Sequence, residues 1–171
     1  MAQGEGEHGG LEAIRRTLTV GAPRERAFRM FVEEMGRWWP RAYTWSLDDL
    51  ESIVVESRQG GRWYEVRRGG GEEPWGVVLE WDPPERVALS WQIRPDRTPE
   101  PDTGRASQVD VRFFDDAPGE TRVELTHDGF ARHGAGAHEY RVGMDSAEGW
   151  TLILQRYADA VAAGPDSATR G

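Results

Sequence analysis

One carboxylate and one imidazole stand out as residues able to do chemistry. Side chains alternate across a strand, which puts Glu65 on the same face as Trp63 and His127 on the same face as Leu125. Both then point inward. A buried carboxylate and imidazole can pair, orient a ligand, or act as acid and base. The structural alternatives are that both reach solvent near strand ends, or that His127 bonds a loop carbonyl. Neither is assigned as catalytic.

Aromatic residues surround this pair. The chain has 8 tryptophans in 171 residues, more than a core of this size requires. Trp39, Trp63, Trp75, Trp91, Phe113, Trp150 and Tyr157 fall on presumed inward faces, joined by Phe130 and Leu154. So many rings rarely interlock without voids, and each indole N–H needs a partner. A pocket for a small hydrophobic or aromatic molecule is therefore expected; a ring-filled core is the alternative. The cluster Trp38, Trp39, Tyr43 and Trp45 reads equally as a wall or lid, as a partner surface, or as a homodimer face. His133, His138, Glu139 and Tyr140 lie between Arg132 and Arg141. Gly134 and Gly136 loosen that segment, so it reads as a polar loop at the cavity mouth, and no metal is expected. There is no phosphate-binding glycine loop, no Gly-x-Ser-x-Gly elbow and no cysteine. No cofactor is expected.

The positioning elements follow from periodicity. A first strand runs from Glu12 to Val20, with Ile14, Leu18 and Val20 on one face, although Arg16 falls there too. Pro23 suits the first turn of a helix carrying Ala27, Phe28 and Phe31, and Gly36 is its expected stop. Six alternating segments follow, separated by turns at 59–61, 69–71, 82–85 and 117–120 and by a polar loop at 95–104. In the fourth strand of the chain, Trp75, Val77, Leu79 and Trp81 are expected to point inward. One-sided alternation requires a cover, which Ala147, Trp150, Leu154, Tyr157 and Val161 supply at helical spacing. Asp145 and Glu148 resemble a capping box at the start of that helix. The fold expected is α+β: a curved antiparallel seven-stranded sheet wrapped around a long C-terminal helix, in β-α-α-β6-α order. It occupies residues 11–163 as one domain, and 1–10 and 164–171 read as disordered tails.

The net charge of −9, from 30 acidic and 21 basic residues, opposes binding to phosphate backbones and anionic lipid. Nucleic acid is not an expected partner. No apolar run approaches the ~20 residues of a membrane helix, so no membrane insertion is expected. The first ten residues lack the pattern of a signal peptide. A cytoplasmic location is the expectation.

Several stretches resemble a known superfamily. They are Ala22-Pro23-Arg24-Glu25-Arg26-Ala27-Phe28, Gly60-Gly61-Arg62-Trp63, Trp81-Asp82-Pro83-Pro84-Glu85-Arg86-Val87, the run from Thr121 to Phe130 ending in Thr-His-Asp-Gly-Phe, and Gly149-Trp150 with Leu154. The chain resembles the START/SRPBCC superfamily, which includes birch-pollen-allergen-like and polyketide-cyclase-like proteins. Within it, the chain is most similar to the family named after the C-terminal domain of the heat shock protein 90 ATPase activator. The resemblance implies the helix-grip fold. The leading functional expectation is a binding protein rather than an enzyme, with a Trp-lined cavity between sheet and C-terminal helix. An enzyme (cyclase, lyase or hydrolase) using the same cavity, and a co-chaperone-like module that activates an ATPase, remain the alternatives.

Overall fold

The computed structural model describes residues 11–164; the expected tail at 1–10 and, apart from Gly164, the one at 164–171 lie outside them. Seven strands, β1 (Ile14–Val20), β2 (Leu50–Val55), β3 (Arg62–Arg67), β4 (Glu72–Asp82), β5 (Arg86–Trp91), β6 (Ser107–Asp115) and β7 (Thr121–Asp128), form one sheet. Its order is β1-β7-β6-β5-β4-β3-β2 and every pairing is antiparallel. The sheet curls into a half-barrel, the helix-grip arrangement.

Strand β4 departs from strict alternation. Trp63 pairs with Gly76 while Tyr64 pairs with Pro74, so Trp75 is an extra residue. Val78 pairs with Leu89 while Glu80 pairs with Ala88, so Leu79 is a second one. Each bulge resets the parity. Trp75 and Val78 are buried, whereas Val77 and Leu79, expected inward, are only half-buried. Gly76 falls on the inner face opposite Trp63, where a Cβ would collide with the Ser90 carbonyl oxygen. Only glycine permits that approach.

Helix α1 (Arg24–Glu33) starts after Pro23 and buries Ala27, Phe28 and Phe31. It breaks at Glu34, not at Gly36. A short helix α2 (Met35–Trp38) resumes at once and contains Gly36, whose missing side chain lets α2 lie against β2: a Cβ would sit 3.2 Å from the Ile53 backbone nitrogen. The segment after β7, expected as a loop, contains a 3-10 turn at Phe130–His133 and helix α3 (Ala137–Met144). The element order thus gains one helix before the last. Helix α4 (Trp150–Ala163) closes the grip with Trp150, Ile153, Leu154, Tyr157 and Val161 buried.

The expected capping box at Asp145 does not form. Gly149 occupies the N-cap and no side chain caps the helix. The Asp145 carboxylate instead accepts from Arg16 at 2.9 Å and Arg141 at 3.4 Å. This explains a charged residue on the inner face of β1, since Arg16 also reaches the Thr151 hydroxyl at 3.3 Å. It ties the edge strand to the start of α4.

Candidate functional site

The sheet and α4 do not leave a void along their whole length. At one end α1, β6 and α4 meet through Phe28, Phe31, Phe113 and Tyr157, whose ring centroids lie 5.2 to 5.9 Å apart at steep angles. At the other end, beside the start of α4, a cleft of about 950 Å³ opens. Its walls are Trp39, Trp75 and Trp91, the 42–47 segment after α2, Ile93 to Arg97 beyond β5, the inner face of α3, and Ile153. The volume suits a small-molecule site.

The sequence-derived candidates divide between these regions. Trp39, Trp75 and Trp91 line the cleft; Trp63, Glu65, Phe113, His127, Phe130, Trp150, Leu154 and Tyr157 do not. Of the aromatic cluster that begins at the last residue of α2, Tyr43 and Trp45 line the cleft and Trp38 does not. Trp38 is buried against Phe31 and Tyr157. Residues that are not among the sequence-derived site candidates complete the walls, including Ile93, Arg97, Glu148 and Ile153. Ile153 was legible as the third residue after Trp150 in a helix. Ile93 continues the alternation of Val87, Leu89 and Trp91, whereas Arg97 and Glu148 lie on irregular segments without a periodic signal.

Behind the cleft the indoles interlock. Trp39 packs edge-on against Trp75 at 5.0 Å, Trp150 at 6.0 Å and Trp63 at 6.5 Å, a geometry that favours ring quadrupoles. Their polar edges fare unequally. Trp75 donates to Glu65 at 2.7 Å, Trp91 to the Tyr140 hydroxyl at 2.6 Å and Trp150 to His127 Nδ1 at 2.9 Å. The Nε1 atoms of Trp39 and Trp63 are buried without a partner.

Glu65 is fully buried. Its Oε1 accepts from the Trp45 backbone N–H at 2.9 Å and from Trp75, and its Oε2 accepts from the Ser46 N–H at 2.6 Å. Three N–H donors compensate a carboxylate removed from water. The group therefore fixes two cleft walls at once, the Trp75 ring and the chain at 45–46.

His127, fully buried on β7, joins a different network. An indole N–H can only donate, so His127 Nδ1 accepts from Trp150 and its own proton sits on Nε2. That proton goes to Ser107 Oγ at 2.8 Å. The Ser107 hydroxyl in turn meets His133 Nε2 at 2.8 Å, while His133 Nδ1 is buried without a partner. Burial holds His127 well below the usual imidazole range, with a smaller contribution from neighbouring His133. Burial also lowers His133 to about 4, against the opposing pull of Glu100. Both imidazoles are neutral near pH 7. Glu65 and His127 therefore do not hydrogen-bond each other. His138 and Glu139 sit on α3, with Glu139 on the cleft. Tyr140, also on α3, is pushed up to about 12, mainly by burial, and donates to the Ile93 carbonyl at 2.9 Å.

The pattern of the family described as "Activator of Hsp90 ATPase homolog 1-like protein" matches residues 21–162. The chain belongs to that family. Every cleft wall of this Hsp90-ATPase-activator-homolog-like chain, from Trp39 to Ile153, lies inside the matched stretch. Solved structures place the family member within the START/SRPBCC superfamily. It is 35% identical to an anthrahydroquino-gamma-pyrone synthase solved as a complex, with a TM-score of 0.62 over 86% of this chain and 96% of that one. It is 28% identical to CalC, a self-sacrificing resistance protein from Micromonospora echinospora, with a TM-score of 0.62 over 90% and 96% of the respective chains. A Nitrosomonas europaea protein shares the fold at 16% identity and a TM-score of 0.62, covering 90% of this chain and 96% of its own. No curated protein sequence matches the chain.

Proposed function

We propose that this protein binds a flat aromatic small molecule in the cleft at the start of α4, with the indoles of Trp39, Trp75 and Trp91 as its walls. The observation that carries this reading is the cleft itself, about 950 Å³ of space bounded by aromatic faces. Such walls contribute large contact area at low conformational cost. The synthase at 35% identity supports it, because its name speaks of a fused, quinone-type aromatic. A cleft of this size favours a ligand over a co-chaperone-like surface, which would need no cavity.

Titration with anthraquinone-2-sulfonate, followed by tryptophan fluorescence, tests the reading. Saturable quenching at one equivalent is expected. Quenching that never saturates, as free collision gives, would overturn it.

The superfamily, with its polyketide-cyclase-like members, and a relative named as a synthase also favour a second reading, cyclase-type chemistry in the same cleft. Glu139 and Glu148 on the cleft wall are the groups available for proton transfer. The polar atoms of Glu65 and His127 are already engaged by the protein. Conversion of a bound ring-closure substrate, followed by a change in its absorption spectrum and chromatographic retention and lost in Glu139→Gln or Glu148→Gln, distinguishes catalysis from binding.

A further inference from the structure

Three indoles wall the cleft, and they are not held alike. Trp75 is fastened to a buried carboxylate and Trp91 to the Tyr140 hydroxyl. Trp39 is 3% exposed, and its Nε1 is buried with no acceptor. Packing alone fixes its ring. Trp39 also lines a second depression of about 630 Å³, bordered by Arg37, Arg41, Glu51 and Arg156. It is the residue common to both cavities. Trp39 thus stands between two depressions, its ring packed against Trp38, Trp63, Trp75, Trp91 and Trp150 with no hydrogen bond to keep it in place.

A buried donor without an acceptor carries an uncompensated desolvation cost. Any ligand atom that accepts from it recovers part of that cost, and a hydrocarbon recovers none. We infer that Trp39 is the specificity-determining residue of the cleft, turning on ligand entry to donate its indole N–H to a carbonyl-type oxygen of the ligand. The ligand class is then a planar aromatic bearing a quinone, pyrone or ketone oxygen, rather than a pure hydrocarbon of the same shape. This inference rests on the proposed ligand-binding function and adds the polar half of recognition. Nε1 is sealed in this structure, so the acceptor meets it only after the ring turns.

The test compares anthraquinone-2-sulfonate with anthracene-2-sulfonate, which keeps the sulfonate and the three fused rings but lacks the carbonyl oxygens. The protein should bind the quinone roughly tenfold more tightly. That preference should vanish in Trp39→Phe and persist in Trp63→Phe, whose indole is also unpartnered but does not line the cleft. In the unmutated protein, the Trp39 indole N–H resonance should move downfield with the quinone and not with the hydrocarbon. This readout stands even if Trp39→Phe fails to fold. Equal affinity for the two probes, a preference retained by folded Trp39→Phe, or an indole resonance that ignores the quinone would overturn the inference and leave the cleft as a site. Saturable binding of neither probe would overturn the ligand-binding reading itself, and this inference with it.

Discussion

The two ends of the grip are built from the same kinds of side chain and finish differently. At the closed end, Phe28, Phe31, Phe113, Trp38 and Tyr157 interlock, and their polar atoms are paired. Trp38 donates to the Met30 carbonyl at 2.9 Å and Tyr157 to the Ala27 carbonyl at 2.8 Å. At the open end, rings pack just as closely but polar edges are left over. Three of the four buried side-chain atoms without a partner among the described residues, on Trp39, Trp63 and His133, lie in or behind the cleft wall; the fourth, Arg24 Nε, lies at the start of α1. A folded chain rarely leaves such groups unpaired without a reason. The closed end contributes stability, and the open end gives up some of it where a ligand can enter.

Substitutions at the closed end should have the largest effect on stability. Phe31→Ala removes contacts with Trp38, Phe113 and Tyr157 at 5.0 to 5.9 Å and should cost about 3–5 kcal/mol in urea unfolding. A loss below ~1 kcal/mol would mean that this end is not the structural core. Glu65→Gln at the open end should cost about 2 kcal/mol, because one amide oxygen cannot serve three N–H donors and the new NH2 faces one of them. It should also loosen the Trp75 wall, seen as a red shift in tryptophan emission.

The imidazole chain makes a pH-dependent prediction. Unfolded histidines take up protons near pH 6.5, whereas folded His133 does so at about 4 and His127 well below the usual value. Between those values the unfolded state holds more protons. Stability is therefore complete above about pH 6.5 and falls as the pH drops toward 4. The urea midpoint should fall between about pH 7.5 and about pH 5, a range above the carboxylate titrations. A flat midpoint would contradict neutral, buried imidazoles. The smallest effect is expected for Tyr43→Phe, which removes one hydrogen bond from Tyr43 to the Glu148 carbonyl at 2.9 Å. About 1 kcal/mol or less should be lost, with faster ligand dissociation in stopped-flow as the two lips of the cleft part.

The sequence carried the sheet well because six strands keep a period of two and glycine or proline marks their turns. It misplaced the inner face of β4 because a bulge is a register event between strands, invisible in the strand's own alternation. Helix α3 was missed although Ala137, Tyr140 and Met144 carry its buried spacing. The neighbouring glycines outweighed three apolar residues. The inward direction of Glu65 and His127 followed from parity; their partners did not. Ser107 is 20 residues from His127 and 26 from His133, and the donors to Glu65 at 45 and 46 are backbone groups on an irregular segment. The position of the cleft was likewise illegible, since it depends on which rings interlock, a matter of three-dimensional packing and not of residue type.

Gly143 offers the most direct test that the open end is the binding site. It lines the cleft on α3, and a Cβ added there meets no heavy atom within 4 Å. Gly143→Phe should therefore fill the cleft without straining the fold, and replacing a helical glycine should not lower stability. Anthraquinone-2-sulfonate affinity, measured by fluorescence titration, should fall at least about tenfold with the melting temperature unchanged or raised. Unaltered affinity in the folded variant would contradict the account and place the ligand elsewhere on the molecule.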